Sequence, residues 1–294
     1  MKTLRTVAEL AAWRASAGLD VGFVPTMGGL HEGHEALMEV ARRAHACVIA
    51  SIYVNPKQFG PEEDFSQYPR TEERDLERLA QASVDAVFLP REEDMYPRGR
   101  DQQTEVFVPG LSDELCGVWR PGHFRGVTTV VARLLGLVSP RACYLGKKDY
   151  QQWRLIERMA ADLALPVAIV GVPTVREADG LALSTRNRYL RPDERKIAAF
   201  LYQTLQAGRA EIWAGLPLPT VEEGCMARLR QVGFGPEYVA IRRADDLQGV
   251  SADDRQLVIL AAARLAATRL IDNLELERSV ALDGGDLQYG RKTG

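Results

Sequence analysis

The chain has 294 residues, of which 46% are hydrophobic and 26% charged, and its formal net charge is -3. At roughly 150 residues per domain, this length predicts one large or two ordinary domains, and the composition excludes a fibre or a disordered tail. The small net charge argues against binding of the whole surface to nucleic acid or to an anionic membrane. The four cysteines form no C-x-x-C pair, which disfavours a zinc site and a disulfide framework and favours reduced thiols in the cytoplasm.

The first 18 residues carry no pattern of a secretory signal, and they predict an ordinary amphipathic helix. The most apolar run, residues 46–54, is far shorter than the roughly 20 residues that a membrane-spanning helix needs. We therefore expect no membrane span.

From residue 21 onwards, short apolar runs alternate with longer amphipathic ones. Strands are predicted over residues 21–24, 47–54, 86–89, 142–145 and 167–172, and helices over residues 35–46, 71–83, 127–138 and 149–164. Strands that alternate with helices are typical of a parallel α/β sheet. The pattern therefore predicts an α/β domain over residues 1–173.

The pattern changes after Pro173. A long helix is predicted over residues 192–214, followed by a second helical stretch and by strands over residues 238–242 and 256–262. These elements predict a smaller α+β domain over residues 174–283. Residues 284–294 are rich in glycine and charge, and we expect them to form a flexible tail.

A glycine-containing turn with two histidines follows the first predicted strand. Its residues are Pro25, Thr26, Met27, Gly28, Gly29, Leu30, His31, Glu32, Gly33 and His34. The unpaired N–H groups at a helix start favour phosphate, and imidazoles can add hydrogen bonds or a proton. The turn matches neither G-x-G-x-x-G nor a Walker A loop. Metal binding and simple helix capping are the alternatives, although His-x-x-His alone is a weak zinc signal.

Three further segments carry polar side chains to strand ends or loops. They are Asn55-Pro56-Lys57-Gln58-Phe59, Gly146-Lys147-Lys148-Asp149-Tyr150-Gln151-Gln152 and Leu183-Ser184-Thr185-Arg186-Asn187. The carboxyl ends of parallel strands are where open α/β sheets bind ligands. The second segment offers a lysine for phosphate, and its alternative interpretation is a helix cap with solvated lysines. The third lies at the predicted domain junction, where hydroxyls and a guanidinium can close over a triphosphate.

Together these segments resemble those of the pantoate–β-alanine ligase (pantothenate synthetase) family, over nearly the whole chain. The turn resembles the family's version of the HIGH nucleotide signature, and residues 183–187 resemble its counterpart of the mobile KMSKS loop. Asn-Pro-x-Gln-Phe at residues 55–59 and Arg-Pro-Gly-His-Phe at residues 120–124 narrow the resemblance from the nucleotidyltransferase superfamily to this ligase. It implies a Rossmann-like doubly wound parallel sheet and an α+β C-terminal domain that closes over the site.

The activity that the resemblance implies is the ATP-dependent condensation of (R)-pantoate with β-alanine, in pantothenate and coenzyme A biosynthesis. Pantoate is first adenylated with release of pyrophosphate, and the β-alanine amine then displaces AMP from pantoyl adenylate. Mg²⁺ would accompany ATP, held by phosphate oxygens and water, and no protein metal ligand is predicted. The family also suggests a homodimer formed through the first domain. From the cysteines, the charge balance and the hydropathy above, we expect a cytoplasmic protein without nucleic-acid or membrane partners.

The resemblance assigns roles to individual residues. His34, His31, Lys148, Ser184 and Arg186 would contact the phosphates and are the predicted catalytic residues. Gln58 and Gln152 would bind pantoate, and Gln58 would also border β-alanine. The predicted ATP-site residues are Met27, Gly28, Gly29, Leu30, His31, Glu32, Gly33, His34, Gly146, Lys147, Lys148, Asp149, Val175, Leu183, Ser184, Thr185 and Arg186.

Some positions depart from the family pattern. Lys147 stands where Glu or Gln is common, Thr185 replaces a common Ser, and Cys116 replaces an acidic residue. We interpret His123 and Arg125 as structural residues at a subunit contact. The apolar helix over residues 127–138 would contribute to a dimer, but a buried core helix has the same pattern.

Three other functions compete with the ligase. A nucleotidyltransferase acting on a phosphate-bearing acceptor would keep the nucleotide in its product. A non-catalytic nucleotide-binding module is disfavoured because binding alone does not need so many phosphate-directed groups. An aminoacyl-tRNA synthetase is disfavoured by the acidic charge balance and the lack of a basic anticodon-binding extension.

Overall fold

The computed structural model describes residues 1–61 and 63–278. Its strands are β1 (Lys2–Leu4), β2 (Val21–Thr26), β3 (Cys47–Ile52), β4 (Ala86–Phe88), β5 (Ala142–Gly146), β6 (Ala168–Val172), β7 (Gly235–Arg243), β8 (Gln256–Leu265) and β9 (Thr268–Glu277). Its helices are α1 (Val7–Ser16), α2 (Glu32–Ala44), α3 (Glu72–Gln81), α4 (Glu92–Met95), α5 (Cys116–Trp119), α6 (His123–Val138), α7 (Tyr150–Asp162), α8 (Pro192–Ala198), α9 (Phe200–Trp213) and α10 (Leu218–Gln231). Among these helices, none combines the length and the apolar character that a membrane span requires.

The first six strands form one parallel sheet in the order β1-β4-β3-β2-β5-β6. The chain moves outward from β2 through β3 and β4, and then returns to the other side of β2 with β5 and β6. This doubly wound order confirms the predicted fold class and places the topological switch point between β2 and β5.

Both faces of the parallel sheet are covered by helices. Phe23 and Ile49 pack against α1, α6 and α7 on one face, whereas Val24 and Ala50 pack against α2 and α3 on the other. A strand buried on both faces is expected to be almost continuously apolar. This explains why β2 and β3 could be recognised as short apolar runs.

The amino-terminal end differs from the prediction of a single helix over residues 1–18. Residues Lys2–Leu4 form the edge strand β1, paired in parallel with β4, and α1 begins only after Thr6. The Thr6 hydroxyl accepts the N–H of Glu9, and the Glu9 carboxylate accepts the N–H of Thr6. This capping box fixes the start of α1.

The three antiparallel strands are arranged as β7-β8-β9, and helices α8, α9 and α10 pack against them. The predicted strands over residues 238–242 and 256–262 are confirmed with longer bounds, but β9 was missed. The single helix predicted over residues 192–214 is wrong, because Ala199 separates α8 from α9. The tail predicted over residues 284–294 and the predicted domain end at residue 283 lie outside the described residues.

Candidate active site

A cleft of about 220 Å³ opens at the switch point between β2 and β5. Predicted site residues that line it are Met27, His31, Gly33, His34, Gln58, Gly146, Lys148, Asp149, Gln152, Val175, Leu183, Ser184, Thr185 and Arg186. They come from segments that are widely separated in sequence. The doubly wound topology brings these segments together, because it turns the carboxyl ends of all six strands to one edge of the sheet.

The glycine turn after β2 is held from behind by a buried carboxylate. Gly28 and Gly29 have φ angles of 81° and 63°, in the left-handed region that favours glycine. The N–H groups of Gly29 and Leu30 donate to the two Asp75 carboxylate oxygens, at 2.9 and 2.8 Å. These donors therefore do not face the cleft, contrary to the expectation that the turn's own N–H groups are free for phosphate.

The two histidines cap α2 with their Nδ1 atoms. His31 Nδ1 accepts the N–H of Gly33 at 3.1 Å, and His34 Nδ1 accepts the N–H of His31 at 3.3 Å. A neutral imidazole whose Nδ1 accepts a hydrogen bond carries its proton on Nε2. Helix capping, one of the alternatives at the sequence level, is therefore present, and it leaves each ring an Nε2–H donor for a ligand.

Both histidine rings are neutral at physiological pH. Burial, together with the nearby Lys148 ammonium, lowers the pKa of His31 to about 4. Burial, with the adjacent His31 ring and Lys148, lowers the pKa of His34 to about 3. The pair is therefore suited to donating hydrogen bonds to phosphate rather than to transferring a proton near neutral pH.

The two consecutive lysines after β5 point to different places. Lys148 lines the cleft, with its Nζ 3.9 Å from an Asp149 carboxylate oxygen. Lys147 instead donates to both Glu275 carboxylate oxygens, at 2.9 and 2.8 Å, and lies over the Trp153 ring. Lys147 therefore ties β5 to β9 and contributes no side chain to the cleft.

Residues 183–187 form one wall of the cleft. The Ser184 hydroxyl accepts the N–H of Arg186 at 3.3 Å and begins a short turn of 3₁₀ helix. The Thr185 hydroxyl donates to the Gly29 carbonyl at 3.2 Å, so this segment contacts the glycine turn. Leu183 and Val175 are joined by a backbone hydrogen bond of 3.0 Å.

The side-chain amide of Gln58 is held in one orientation. Its Oε1 accepts from Asn55 Nδ2 at 3.1 Å, and its Nε2 points toward Met27 Sδ at 3.0 Å. Asn55 is itself fixed, because its Oδ1 accepts the Tyr96 hydroxyl at 2.6 Å. Gln58 therefore presents N–H donors beside Met27, on the wall of the cleft.

Gln151 and Gln152 have different environments. Gln151 is buried and donates to the carbonyls of Leu111 and Glu114, so its amide stabilises the loop before α5. Gln152 lines the cleft, and among the described residues its side chain makes no hydrogen bond. Its amide is therefore available to a ligand.

Five predicted ATP-site residues do not line the cleft in the described part of the chain: Gly28, Gly29, Leu30, Glu32 and Lys147. The first three belong to the turn anchored by Asp75. Glu32 is directed away, toward an ion pair with Arg78 at 3.3 Å. Their predicted role in ATP binding stays a prediction.

His123 and Arg120 line the cleft, which the sequence interpretation missed. His123 is buried, and its Nδ1 lies 2.7 Å from the Gln58 carbonyl. Arg120 Nη1 lies 2.9 Å from His123 Nε2, and burial together with this guanidinium lowers the pKa of His123 to about 3. His123 lies in the first turn of α6, which begins at His123 rather than at residue 127 as predicted. Its role at a subunit contact stays a prediction.

The apolar part of the cleft comes from one face of α6. Val127, Val130, Val131 and Leu134 are buried and line it together. Their spacing of three and four residues places them on one side of the helix. The core alternative for this helix is therefore confirmed for these residues, and the same face forms a wall of the site.

The described residues contain no group of three or more His, Cys, Asp or Glu side chains that could hold a metal ion. The paired histidines belong instead to the cap of α2.

Comparison with known proteins supports a specific family. The family model described as pantoate–β-alanine ligase matches residues 2–275. The pantothenate synthetase of Pseudomonas putida strain GB-1 is 50% identical over 281 residues, covering 94% of this chain and 98% of that protein. The pantothenate synthetase of Idiomarina loihiensis is 46% identical over 281 residues, covering 96% of this chain and all of that protein.

Two solved structures extend the comparison to the fold. The pantothenate synthetase of Thermus thermophilus superposes with a TM-score of 0.87 at 49% identity, covering 93% of this chain and 99% of that one. The pantoate–β-alanine ligase of Francisella tularensis, complexed with beta-gamma ATP and β-alanine, superposes with a TM-score of 0.79 at 33% identity. The match covers 93% of this chain and 97% of that one. The chain therefore belongs to the pantoate–β-alanine ligase family.

Proposed function

We propose that this chain joins (R)-pantoate to β-alanine through pantoyl adenylate, with cleavage of ATP to AMP and pyrophosphate. The observation that carries the proposal is the cleft at the β2–β5 switch point, where imidazole donors, a lysine and an oriented amide converge. The same groups occur in segments that place the chain in the ligase family.

In the first step, a pantoate carboxylate oxygen attacks the α-phosphorus of ATP, and pyrophosphate leaves. We assign the Nε2–H groups of His31 and His34 to phosphate oxygens, where preorganised donors stabilise developing charge. Lys148, Ser184 and Arg186 would hold the triphosphate, and the Lys148 ammonium would neutralise the leaving group. The lowered pKa values of the two histidines support hydrogen bonding over proton transfer.

Pantoate combines a carboxylate, two hydroxyl groups and two methyl groups on one carbon. We assign its polar groups to Gln58 and Gln152, whose amides meet the cleft. The methyl groups would pack on the apolar face of α6, which includes Val127 and Val130. This division gives pantoate one orientation, in which its carboxylate can face the α-phosphate.

In the second step, the unprotonated amine of β-alanine attacks the acyl carbon of pantoyl adenylate. The carbon–oxygen bond to AMP breaks, the amide bond forms, and the amine loses a proton. We place β-alanine beside Gln58, so that its amine lies next to the acyl carbon of the bound pantoyl group. The ligase of Francisella tularensis, complexed with beta-gamma ATP and β-alanine, is similar in fold to this chain.

We further propose that Mg²⁺ enters with ATP as part of the substrate. Phosphate oxygens and water would supply its ligands, which suits the preference of Mg²⁺ for oxygen and for retained water. Among the described residues that line the cleft, Asp149 is the one with a carboxylate, which is half-exposed, and it is our candidate for an outer contact.

The domain division and the assembly also belong to the proposal. We place the boundary between the two domains after residue 173 and expect residues 174–283 to close over bound ATP. We propose a cytoplasmic homodimer formed through the first domain, in agreement with the four unpaired cysteines and with the exposed apolar side chains of Val118 and Trp119.

The activity is tested by incubating the purified protein with ATP, Mg²⁺, pantoate and β-alanine, and by omitting each component in turn. Products are identified by mass spectrometry, with Lys148→Ala as a control for contaminating activity. Pantothenate and AMP that require every component support the ligase. A nucleotide-containing end product other than pantoyl adenylate would overturn it in favour of nucleotidyl transfer, and ATP binding without turnover would favour a binding module.

A further inference from the structure

Arg186, which the proposed function assigns to the triphosphate, already has a partner in this structure. Its Nε and Nη2 atoms donate to the two carboxylate oxygens of Asp64, at 2.9 and 2.8 Å. The two side chains are only 29% and 20% exposed, so water screens this pair less than an ordinary surface ion pair. Asp64 therefore occupies one of the two bidentate edges of the guanidinium, the edge formed by Nε and Nη2.

The segment that carries Arg186 has further contacts with the same part of the protein. Thr185 donates to the Gly29 carbonyl, and the Tyr189 hydroxyl donates to the Gln67 carbonyl at 3.3 Å. The Asp64 pair thus belongs to a set of contacts that join residues 185–189 to Asp64, to Gln67 and to the glycine turn.

The edge that Arg186 turns to Asp64 is also one that can bind two oxygens of a phosphate. Two parallel N–H donors of a guanidinium match two oxygens of a carboxylate or of a phosphate equally well. One edge cannot serve both partners at the same time. A triphosphate carries several negative charges where Asp64 carries one, so ATP can displace the carboxylate.

We propose that Asp64 holds the Nε–Nη2 edge of Arg186 in the ATP-free protein, and that the phosphates of ATP bind the same edge and displace Asp64 from it. Asp64 competes with ATP, and its removal strengthens ATP binding. This inference rests on the proposed role of Arg186 at the triphosphate. The experiment below distinguishes a failure of that role from a failure of the competition by Asp64.

The expected gain follows from the share of molecules in which Arg186 is paired. If the pair is closed in about 70 to 90% of ATP-free molecules, the apparent ATP affinity is reduced about three- to tenfold. Asp64→Asn keeps the shape but removes the charge, and Asp64→Ala removes the partner altogether. We expect both variants to lower the dissociation constant for ATP, and Asp64→Ala to lower it at least as much.

The matched control is Glu63→Gln, in the same loop. Glu63 pairs with a different cleft arginine, Arg120, at 2.5 Å, and the substitution removes the same unit of negative charge. A general electrostatic effect would strengthen ATP binding in both variants. A specific effect strengthens it only at Asp64. AMP provides a second control, because it lacks the phosphates assigned to Arg186.

The experiment is calorimetric titration of ATP and of AMP into the whole protein and its variants, with KM and kcat measured alongside. Tighter ATP binding and a lower KM in the Asp64 variants, unchanged AMP binding, and loss of the gain when Arg186→Ala is added would support the proposal. Weaker or unchanged ATP binding in both Asp64 variants, or an equal gain in Glu63→Gln, would overturn it. If Arg186→Ala alone leaves ATP binding unchanged, the assigned role of Arg186 fails instead.

Discussion

Replacing Asp75 by alanine should loosen the glycine turn that leads into the two histidines. Asp75 is 1% exposed, and it accepts the N–H groups of Gly29 and Leu30 and the Thr71 hydroxyl at 3.1 Å. Truncation leaves two buried N–H donors without a partner, at about 1–3 kcal/mol each. We therefore expect a loss of about 2–6 kcal/mol in the free energy of unfolding, measured in urea.

The same substitution should slow adenylation, because the turn sets the position of His31 at the start of α2. A displacement of about 1 Å at a reacting group can lower a rate about 100-fold. The assay is pyrophosphate release at saturating ATP and pantoate, at a temperature where the variant is folded. Thr71→Val, which removes only the hydroxyl donor, is the control and should lose about 1 kcal/mol. An Asp75→Ala variant with the stability and rate of the unmodified protein would refute this reasoning.

Three further predictions concern the site itself. Lys148→Ala should lower the rate of pyrophosphate release by an amount equivalent to roughly 3 kcal/mol or more in the activation barrier. Lys147→Ala should change the same rate by less than about threefold, because the Lys147 side chain lies outside the cleft. Equal effects of the two substitutions would contradict the assignment of Lys148 to the phosphates. Gln58→Ala should weaken pantoate binding much more than ATP binding in calorimetry, and an equal loss of both would count against a pantoate role. His31 and His34 have pKa values lowered from the ordinary 6.5 to about 4 and about 3, so the unfolded chain binds more protons than the folded one between these values. The stability that the two rings contribute is present above pH 6.5 and should fall as the pH drops toward 4, and His31→Asn combined with His34→Gln should flatten this slope in urea unfolding.

Local sequence patterns were sufficient to predict most strands of the central parallel sheet. The buried strands β2 to β5 have apolar runs because helices cover both their faces, and such runs are visible without long-range information. The glycine turn, Lys148 and Gln58 were found for a related reason. Each lies in the segment that follows a strand of the parallel sheet, and the carboxyl ends of these strands meet at one edge of that sheet.

Two strands were missed for physical reasons. With three residues, β1 is too short to show a period, and its pairing with β4 depends on residues more than eighty positions away. Strand β9 does alternate, with Leu270, Asp272, Leu274 and Leu276 on one face, but the buried aspartate interrupts the apolar pattern. Asp272 is tolerated there because Arg176 donates to both its carboxylate oxygens, at 2.7 and 2.8 Å.

Partners across the fold could not be predicted from local patterns. Asp75 and Asp64 look like ordinary charged residues at a helix start and in a loop, and only the tertiary structure brings them to the glycine turn and to Arg186. The position of His123 depended on where α6 begins, because the helix was predicted to start at residue 127 and His123 was therefore left outside the helix that lines the cleft. Helix boundaries depend on caps, and Gly122, with a φ angle of 80°, offers no side-chain cap.

The chemical route is tested most directly by isotope transfer. Pantoate labelled with ¹⁸O in its carboxylate is converted in the presence of ATP, Mg²⁺ and β-alanine, and the AMP is analysed by mass spectrometry. If pantoyl adenylate forms, the bridging oxygen comes from pantoate and stays with the phosphate, so each AMP formed from fully labelled pantoate carries one ¹⁸O. Unlabelled AMP, or label released in inorganic phosphate, would contradict the adenylate route and with it the proposed roles of His31, His34 and Lys148 in adenylation.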